Sequence, residues 1–80
     1  MTLLDFIKKQ LPDTEREAFA RRCGTTFAHL MQVARGYRRA GEYLCIKIDR
    51  ETSGRITCES LRPDVDWAYL RSTAVPEKAA

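Results

Sequence analysis

The 80 residues carry a hydrophobic share of 44%, enough for one small core, and no apolar run approaches the length of a membrane span. Three cysteines without a C-x-x-C pair, beside a single histidine, exclude a closed zinc site and a disulfide framework; they read as reduced, buried residues of a cytoplasmic protein. The formal charge of +3 is modest, but Arg21, Arg22, Arg35, Arg38 and Arg39 all fall between Glu17 and Glu42 with no carboxylate among them.

The first residues lack the basic and apolar regions of an export signal, and no repeat, low-complexity segment or linker divides the chain. Thr2 is placed to cap a first helix whose apolar residues Leu3, Leu4, Ile7 and Leu11 recur at helical spacing. Pro12 ends it, because a proline pushes the preceding residue out of the α region. Thr14 followed by Glu17 matches a capping box, which predicts a second helix over 15–23 with Phe19, Ala20 and Cys23 inward. Gly24 stops that helix in the left-handed conformation. Thr25 and Thr26 offer hydroxyl caps to a third helix, ended by Gly36, whose apolar residues are Phe27, Leu30, Val33 and Ala34.

Beyond the loop Tyr37-Arg38-Arg39-Ala40-Gly41, two readings fit the segment from Glu42 to about Thr52. Leu44 and Ile48 lie one helical turn apart, Glu42, Lys47, Arg50 and Glu51 fall toward water, and Gly41 and Gly54 bracket a helix of normal length. The isoleucines of 43–48, facing Arg55 to Cys58 across Thr52-Ser53-Gly54, instead fit a hairpin over 43–58. The helix is the favoured reading. Thr57 caps a short helix through Leu61, Pro63 breaks it, and Asp64 or Asp66 begins a last turn containing Val65, Trp67, Tyr69 and Leu70. Residues 72–80, small and interrupted by Pro76, read as a flexible tail on a domain of residues 1–71.

The segment from Phe19 to Arg39 has the spacing of a helix-turn-helix. That motif needs a small residue where two helices touch, a turn residue tolerant of positive φ, and apolar anchors on the second helix. Ala20, Gly24, and the pair Leu30 and Val33 meet those needs in order. Each helical residue turns about 100°, so placing Leu30 and Val33 inward points Ala28, Met31, Gln32 and Arg35 outward. Thr26 stands at the N-terminal end, normally the end closest to base edges. Gln32 is suited to bidentate pairing with adenine, Arg35 to guanine or a phosphate, and Ala28 and Phe27 to a thymine methyl. Phe27 serves equally well as an extension of the core. Arg38 and Arg39 in the loop, with Arg21 or Arg22 from the second helix, are the phosphate-holding candidates, and the helix N-termini near Thr14 and Gly41 add free amides. An unopposed positive segment that coincides with such a motif is the footprint of a nucleic-acid binder.

The stretch CGTTFAHLMQVARGYRRAGEYLCIKIDRETSGRITCESLRPDVDWAYL resembles the YdaS/Cro-like helix-turn-helix regulators of bacteriophages and prophages. The likeness rests on the Gly-Thr-Thr turn, His29-Leu30, the arginine loop after Gly36, Ile48-Asp49-Arg50, Thr52-Ser53-Gly54, and the ending from Leu61 through Trp67. The resemblance implies a small regulator binding a double-stranded operator, with its recognition helix on 26–35 and its basic loop on 36–41. It also admits a different role, an antitoxin-like or anti-repressor module gripping protein.

The sequence therefore predicts an all-α, compact five-helix fold of the lambda-repressor/Cro-like kind, acting as a repressor in the cytoplasm of a bacterial or phage-infected cell. Base reading is assigned to Thr26, Phe27, Ala28, Met31, Gln32 and Arg35, and phosphate binding to Arg21, Arg22, Arg38 and Arg39. No cofactor, metal, membrane or small-molecule ligand is expected. A lone recognition helix covers few base pairs, so a homodimer is expected, formed on DNA if not before, with Val65, Trp67, Tyr69 and Leu70 as either its surface or the closing core. One histidine, no nucleophile–base spacing and no phosphate loop argue against an enzyme.

Overall fold

Thr2 takes an extended backbone and its Oγ1 accepts from the Asp5 amide at 3.1 Å, while the Asp5 carboxylate accepts from the Thr2 amide. This capping box starts α1, Leu3–Asp5, in the computed structural model, which describes residues 1–74. The chain then widens into a π-helical turn, Phe6–Gln10, rather than continuing as α-helix to Leu11. Leu3, Phe6 and Ile7 are buried by it, and the rings of Phe6 and Phe19 meet at 5.6 Å between centroids. Arg16 reaches back to the carbonyls of Leu11 at 3.3 Å and Lys8 at 3.4 Å, satisfying acceptors at the end of that turn.

Thr14 does not form the expected capping box. It lies inside a 3-10 turn, Asp13–Glu15, closed by the Glu15 amide on the Pro12 carbonyl at 2.9 Å, and so lacks the extended backbone a capping residue needs. The N-cap of α2, Arg16–Arg22, is Glu15, without a side-chain bond. Four further helices follow: α3, Phe27–Ala34; α4, Glu42–Glu51; α5, Cys58–Leu61; and α6, Trp67–Ala74. The described residues contain no strand.

Residues 43–58 form helix and turn rather than a hairpin, and burial shows why. A strand would place Leu44, Ile46 and Ile48 on one face, but Ile46 is exposed while Cys45 and Ile48 are fully buried and Leu44 is half-buried. That is helical phase. The helix ends with Ser53 and Gly54 both in the left-handed region, at φ 55° and 82°. Their amides return to the Arg50 and Asp49 carbonyls.

Two clusters make the core. Leu3, Phe6, Ile7, Phe19, Ala20, Cys23, Leu30, Ile48 and Ile56 join α1 to α4. Ala40, Cys45, Cys58 and Trp67 form the second, and Val33, Leu44 and Leu61 pack against both. The one buried polar side chain among the described residues, Thr52, is satisfied: its hydroxyl accepts from the Ile56 amide at 3.1 Å and donates to the Asp49 carbonyl at 3.2 Å. The Asp49 carboxylate accepts from the Cys58 amide at 3.0 Å, tying the second cluster to α4, and Thr57 caps α5 through the Ser60 amide.

The two aspartates near the end divide their work. Asp66 accepts from the Tyr69 amide at 3.1 Å and caps α6. Asp64 caps nothing; it takes both arms of the Arg62 guanidinium, at 2.9 and 2.8 Å. The last element is a helix rather than a single turn, and it includes Ser72 to Ala74, where the tail is expected to begin; the rest of that tail lies outside the described residues. Of the apolar residues expected there, Trp67 is buried and Val65 half-buried in the second cluster, while Tyr69 and Leu70 are exposed. No helix among the described residues is long and apolar enough to cross a membrane.

Candidate nucleic-acid interface

Helices α2 and α3 are joined by a turn that depends on Gly24. At φ 81° its amide donates to the Arg21 carbonyl at 2.9 Å, and the Thr25 amide donates to the Ala20 carbonyl at 3.0 Å, a Schellman closure. A Cβ at this position would come no closer than 3.9 Å, to Cε2 of Tyr43, so the demand for glycine is conformational rather than steric. Ala20 is fully buried where the two helices touch. Thr26 then takes an extended backbone, and its hydroxyl accepts from the His29 amide at 3.1 Å to start α3. Leu30 anchors α3 in the core with no exposure, and Gly36, at φ 85°, ends it.

The outward surface of α3 is narrower than the helical wheel predicts. Ala28, Gln32 and Arg35 are exposed and lie at i, i+4 and i+7, with Thr26 exposed at the N-terminal end. Met31, expected to point outward, is half-buried and packs against the main core on the flank of the helix. Phe27, one turn earlier, packs there too, yet it also lines a shallow surface depression with Glu17, Arg21, Thr25, Thr26 and Ala28. Phe27 thus combines a contact with the core and a place on this surface.

The five clustered arginines are not equivalent. Arg22 is bound to Glu51, Nε to Oε1 at 2.9 Å, and its guanidinium lies 5.7 Å from the centre of the Phe19 ring. Arg21, Arg35, Arg38 and Arg39 are exposed and make no ion pair with any described residue. The loop carrying Arg38 and Arg39 is fixed at both ends. The amides of Tyr37 and Arg38 both donate to the Gln32 carbonyl, at 2.9 and 3.3 Å, and Arg62 donates to the Ala40 carbonyl at 2.7 Å. At the far side of the loop Gly41 begins α4 without a side-chain cap, leaving first-turn amides turned toward the same region.

The chemistry elsewhere is quiet. Burial pushes the Cys23 thiol up to about 11 and raises that of Cys45, so neither is a ready thiolate. All three cysteines are buried thiols outside any disulfide, and no three metal-ligating side chains gather among the described residues.

A family model described as "Bacterial toxin YdaS" matches residues 15–70. The chain belongs to the YdaS family. It is also 41% identical over 59 residues to a protein of Escherichia coli (strain K12) named "Putative transcriptional regulator YdaS". That alignment covers 74% of this chain and 60% of the relative, so the chain spans a little less than two thirds of the relative's length. No solved structure matches.

The YdaS match starts at the entry to α2 and ends in α6, so it takes in the helix-turn-helix, the arginine loop and the closing segment while leaving out α1. The Leu-Arg-Pro-Asp-x-Asp-Trp ending acquires a physical meaning: Arg62 grips Asp64 and the Ala40 carbonyl, and Trp67 Nε1 donates to the Arg62 carbonyl at 2.8 Å. The guanidinium holds the Asp64 carboxyl down at about 2.

Two residues of this surface escape a reading by charge and helical wheel. Glu17 brings a carboxylate beside Phe27 and Ala28, although the chain from Ala18 to Gly41 has none. The i, i+4 spacing from Glu17 to Arg21 is the signal that would have placed it there. Tyr37 stands exposed inside the arginine loop, and its signal is an aromatic residue interleaved with cations.

Proposed function

We propose that this YdaS-family chain is a sequence-specific regulator that binds double-stranded operator DNA, laying α3 in the major groove. One observation carries the reading: the exposed stripe of Ala28, Gln32 and Arg35 lies among cations, Arg21, Arg38 and Arg39, that form no ion pair with any described residue. Unpaired arginines around a polar helix face suit a polyanion whose base edges are read by that face. Gln32 is the principal reader and Thr26 and Ala28 flank it. Phe27 and Met31 contribute through the edges that their packing leaves exposed. Arg21, Arg38 and Arg39 hold phosphates, and Glu51 competes for Arg22. Because one such helix spans few base pairs, the functional unit is a homodimer on a palindromic site. The relative's name, a transcriptional regulator, agrees with this reading.

The family description, a toxin, favours a second reading in which the same basic surface takes an acidic protein partner. Selection from random duplexes decides between them. Enrichment of a palindromic sequence, with binding that weakens steeply as salt rises, is the expected result. Failure to enrich any duplex overturns the proposal.

A further inference from the structure

Tyr37 is the most exposed large apolar side chain among the described residues, at 77%. It takes part in neither core cluster. A single exposed ring is ordinary in itself, but this one leaves a flat apolar face available for a contact outside the monomer. The surroundings say which kind. Gly36 turns the chain immediately before it, Arg38 and Arg39 follow it, and neither arginine has an ion-pair partner among the described residues. The local field thus attracts anions.

The backbone at Tyr37 is already fixed. Its amide donates to the Gln32 carbonyl at 2.9 Å, the Arg38 amide donates to the same oxygen at 3.3 Å, and Arg62 holds the Ala40 carbonyl at the other end of the loop. A contact made by this ring therefore costs side-chain ordering only. A phenol offers one hydroxyl donor and a flat apolar face, matching a phosphate oxygen and the deoxyribose beside it.

We propose that Tyr37 is a further DNA contact, its hydroxyl donating to a backbone phosphate and its ring lying against the adjoining sugar. The inference rests on the reading of α3 as the groove-entering helix. Tyr37 carries no charge, so it releases no counterion; its contribution differs in kind from that of the arginines on either side.

The test is fluorescence-anisotropy titration of the full chain, on the duplex selected by the wild type, across 50–200 mM salt. Tyr37→Ala is expected to weaken binding about thirtyfold at every salt concentration, the hydrogen bond to a charged group together with the ring's contact on the sugar, and to leave the log–log slope unchanged. Tyr37→Phe keeps the ring and is expected to lose roughly tenfold, the size of a hydrogen bond to a charged group. Arg38→Ala, as the contrast, flattens the slope by about 0.9 per bound chain. Should Tyr37→Ala lower the melting temperature, the Phe variant still reports the hydroxyl. Wild-type affinity in both tyrosine variants overturns the inference, as does a slope flattened by Tyr37→Ala as much as by Arg38→Ala, which would make the residue a positioner of the arginines. Absence of wild-type duplex binding instead overturns the underlying reading, a result distinct from either.

Discussion

Arg22 and Arg38 are both exposed arginines of one basic segment, and the structure predicts opposite behaviour when each is removed. Every phosphate neutralised contributes about 0.9 to the slope of log affinity against log salt, so a fourfold rise in salt costs about 3.5-fold in affinity per contact. With Arg21, Arg38 and Arg39 on phosphates, each chain should lose roughly 40-fold between 50 and 200 mM, and Arg38→Ala should reduce that loss to roughly 12-fold. Arg22 is already matched by Glu51 at 2.9 Å and spread over the Phe19 ring. Its deletion releases no counterion; it leaves the Glu51 carboxylate, whose side chain is 25% exposed, without its partner. Arg22→Ala should therefore shift the binding line downward in parallel, and adding Glu51→Ala should lift it again. The pair itself contributes at most about 1 kcal/mol to folding, given how much of Arg22 faces water. Anisotropy titrations of the four proteins at several salt concentrations measure all of this. If Arg22→Ala flattens the line as much as Arg38→Ala does, the ion pair does not withhold Arg22 from DNA and the argument is wrong.

Gln32→Ala should relax preference at particular base pairs, with about 1–3 kcal/mol of discrimination lost there, as read from sequences selected in parallel with the wild type; a uniform loss across all sequences would remove Gln32 from base reading. Gly24→Ala should destabilise the fold by about 1–2 kcal/mol in urea denaturation, the cost of a side chain in the left-handed region. Because the new Cβ would meet nothing closer than 3.9 Å, Gly24→Asn should recover part of that cost, and an alanine variant as stable as the wild type would refute the conformational account. Asp64 sets an acid limit: Arg62 lowers its carboxyl from the ordinary 3.8 to about 2. A depressed pKa in the folded state stabilises above the unfolded value and is lost as pH falls, here between about pH 4 and pH 2. Melting curves of wild type and Asp64→Asn should converge over that interval, and curves that stay parallel down to pH 2 would show that the pair contributes no linkage.

The elements that sequence made legible are those governed by local chemistry. Thr2, Thr26 and Thr57 each cap the helix that follows, because a hydroxyl three residues before a free amide needs no distant partner. Gly24 and Gly36 stop helices for the same kind of reason. The 43–48 segment was ambiguous because its isoleucines suit a strand and its spacing suits a helix; only the positions of Cys45 and Ile46 relative to a core decide it. Elements set by tertiary contact were not legible. Thr14 has the residues of a capping box, but the Pro12–Glu15 turn occupies its backbone. Met31 points outward by helical angle, yet its side chain turns onto the neighbouring core, which the wheel does not contain.

The division between Asp64 and Asp66 shows how far apart motif and interface can lie in sequence while acting on one surface. Either aspartate suits a helix cap by composition, yet only Asp66 accepts from the amide three residues on, that of Tyr69, whereas the Trp67 amide three residues after Asp64 donates to the Val65 carbonyl. Asp64 is instead committed to Arg62, and Arg62 donates its remaining arm to the Ala40 carbonyl, in the loop that carries Arg38 and Arg39. The family's C-terminal ending thus bears on the basic loop more than twenty residues before it. A guanidinium serves here where an ammonium does not, because three donors must leave one planar group in fixed directions, two toward a carboxylate and one toward a carbonyl. Trp67 bonds the backbone of Arg62 and buries its ring beside Ala40 in the second cluster, so packing of α6 and orientation of the guanidinium depend on each other. On the DNA-binding reading proposed above, the ending supports the interface by fixing the backbone from which Arg38 and Arg39 project.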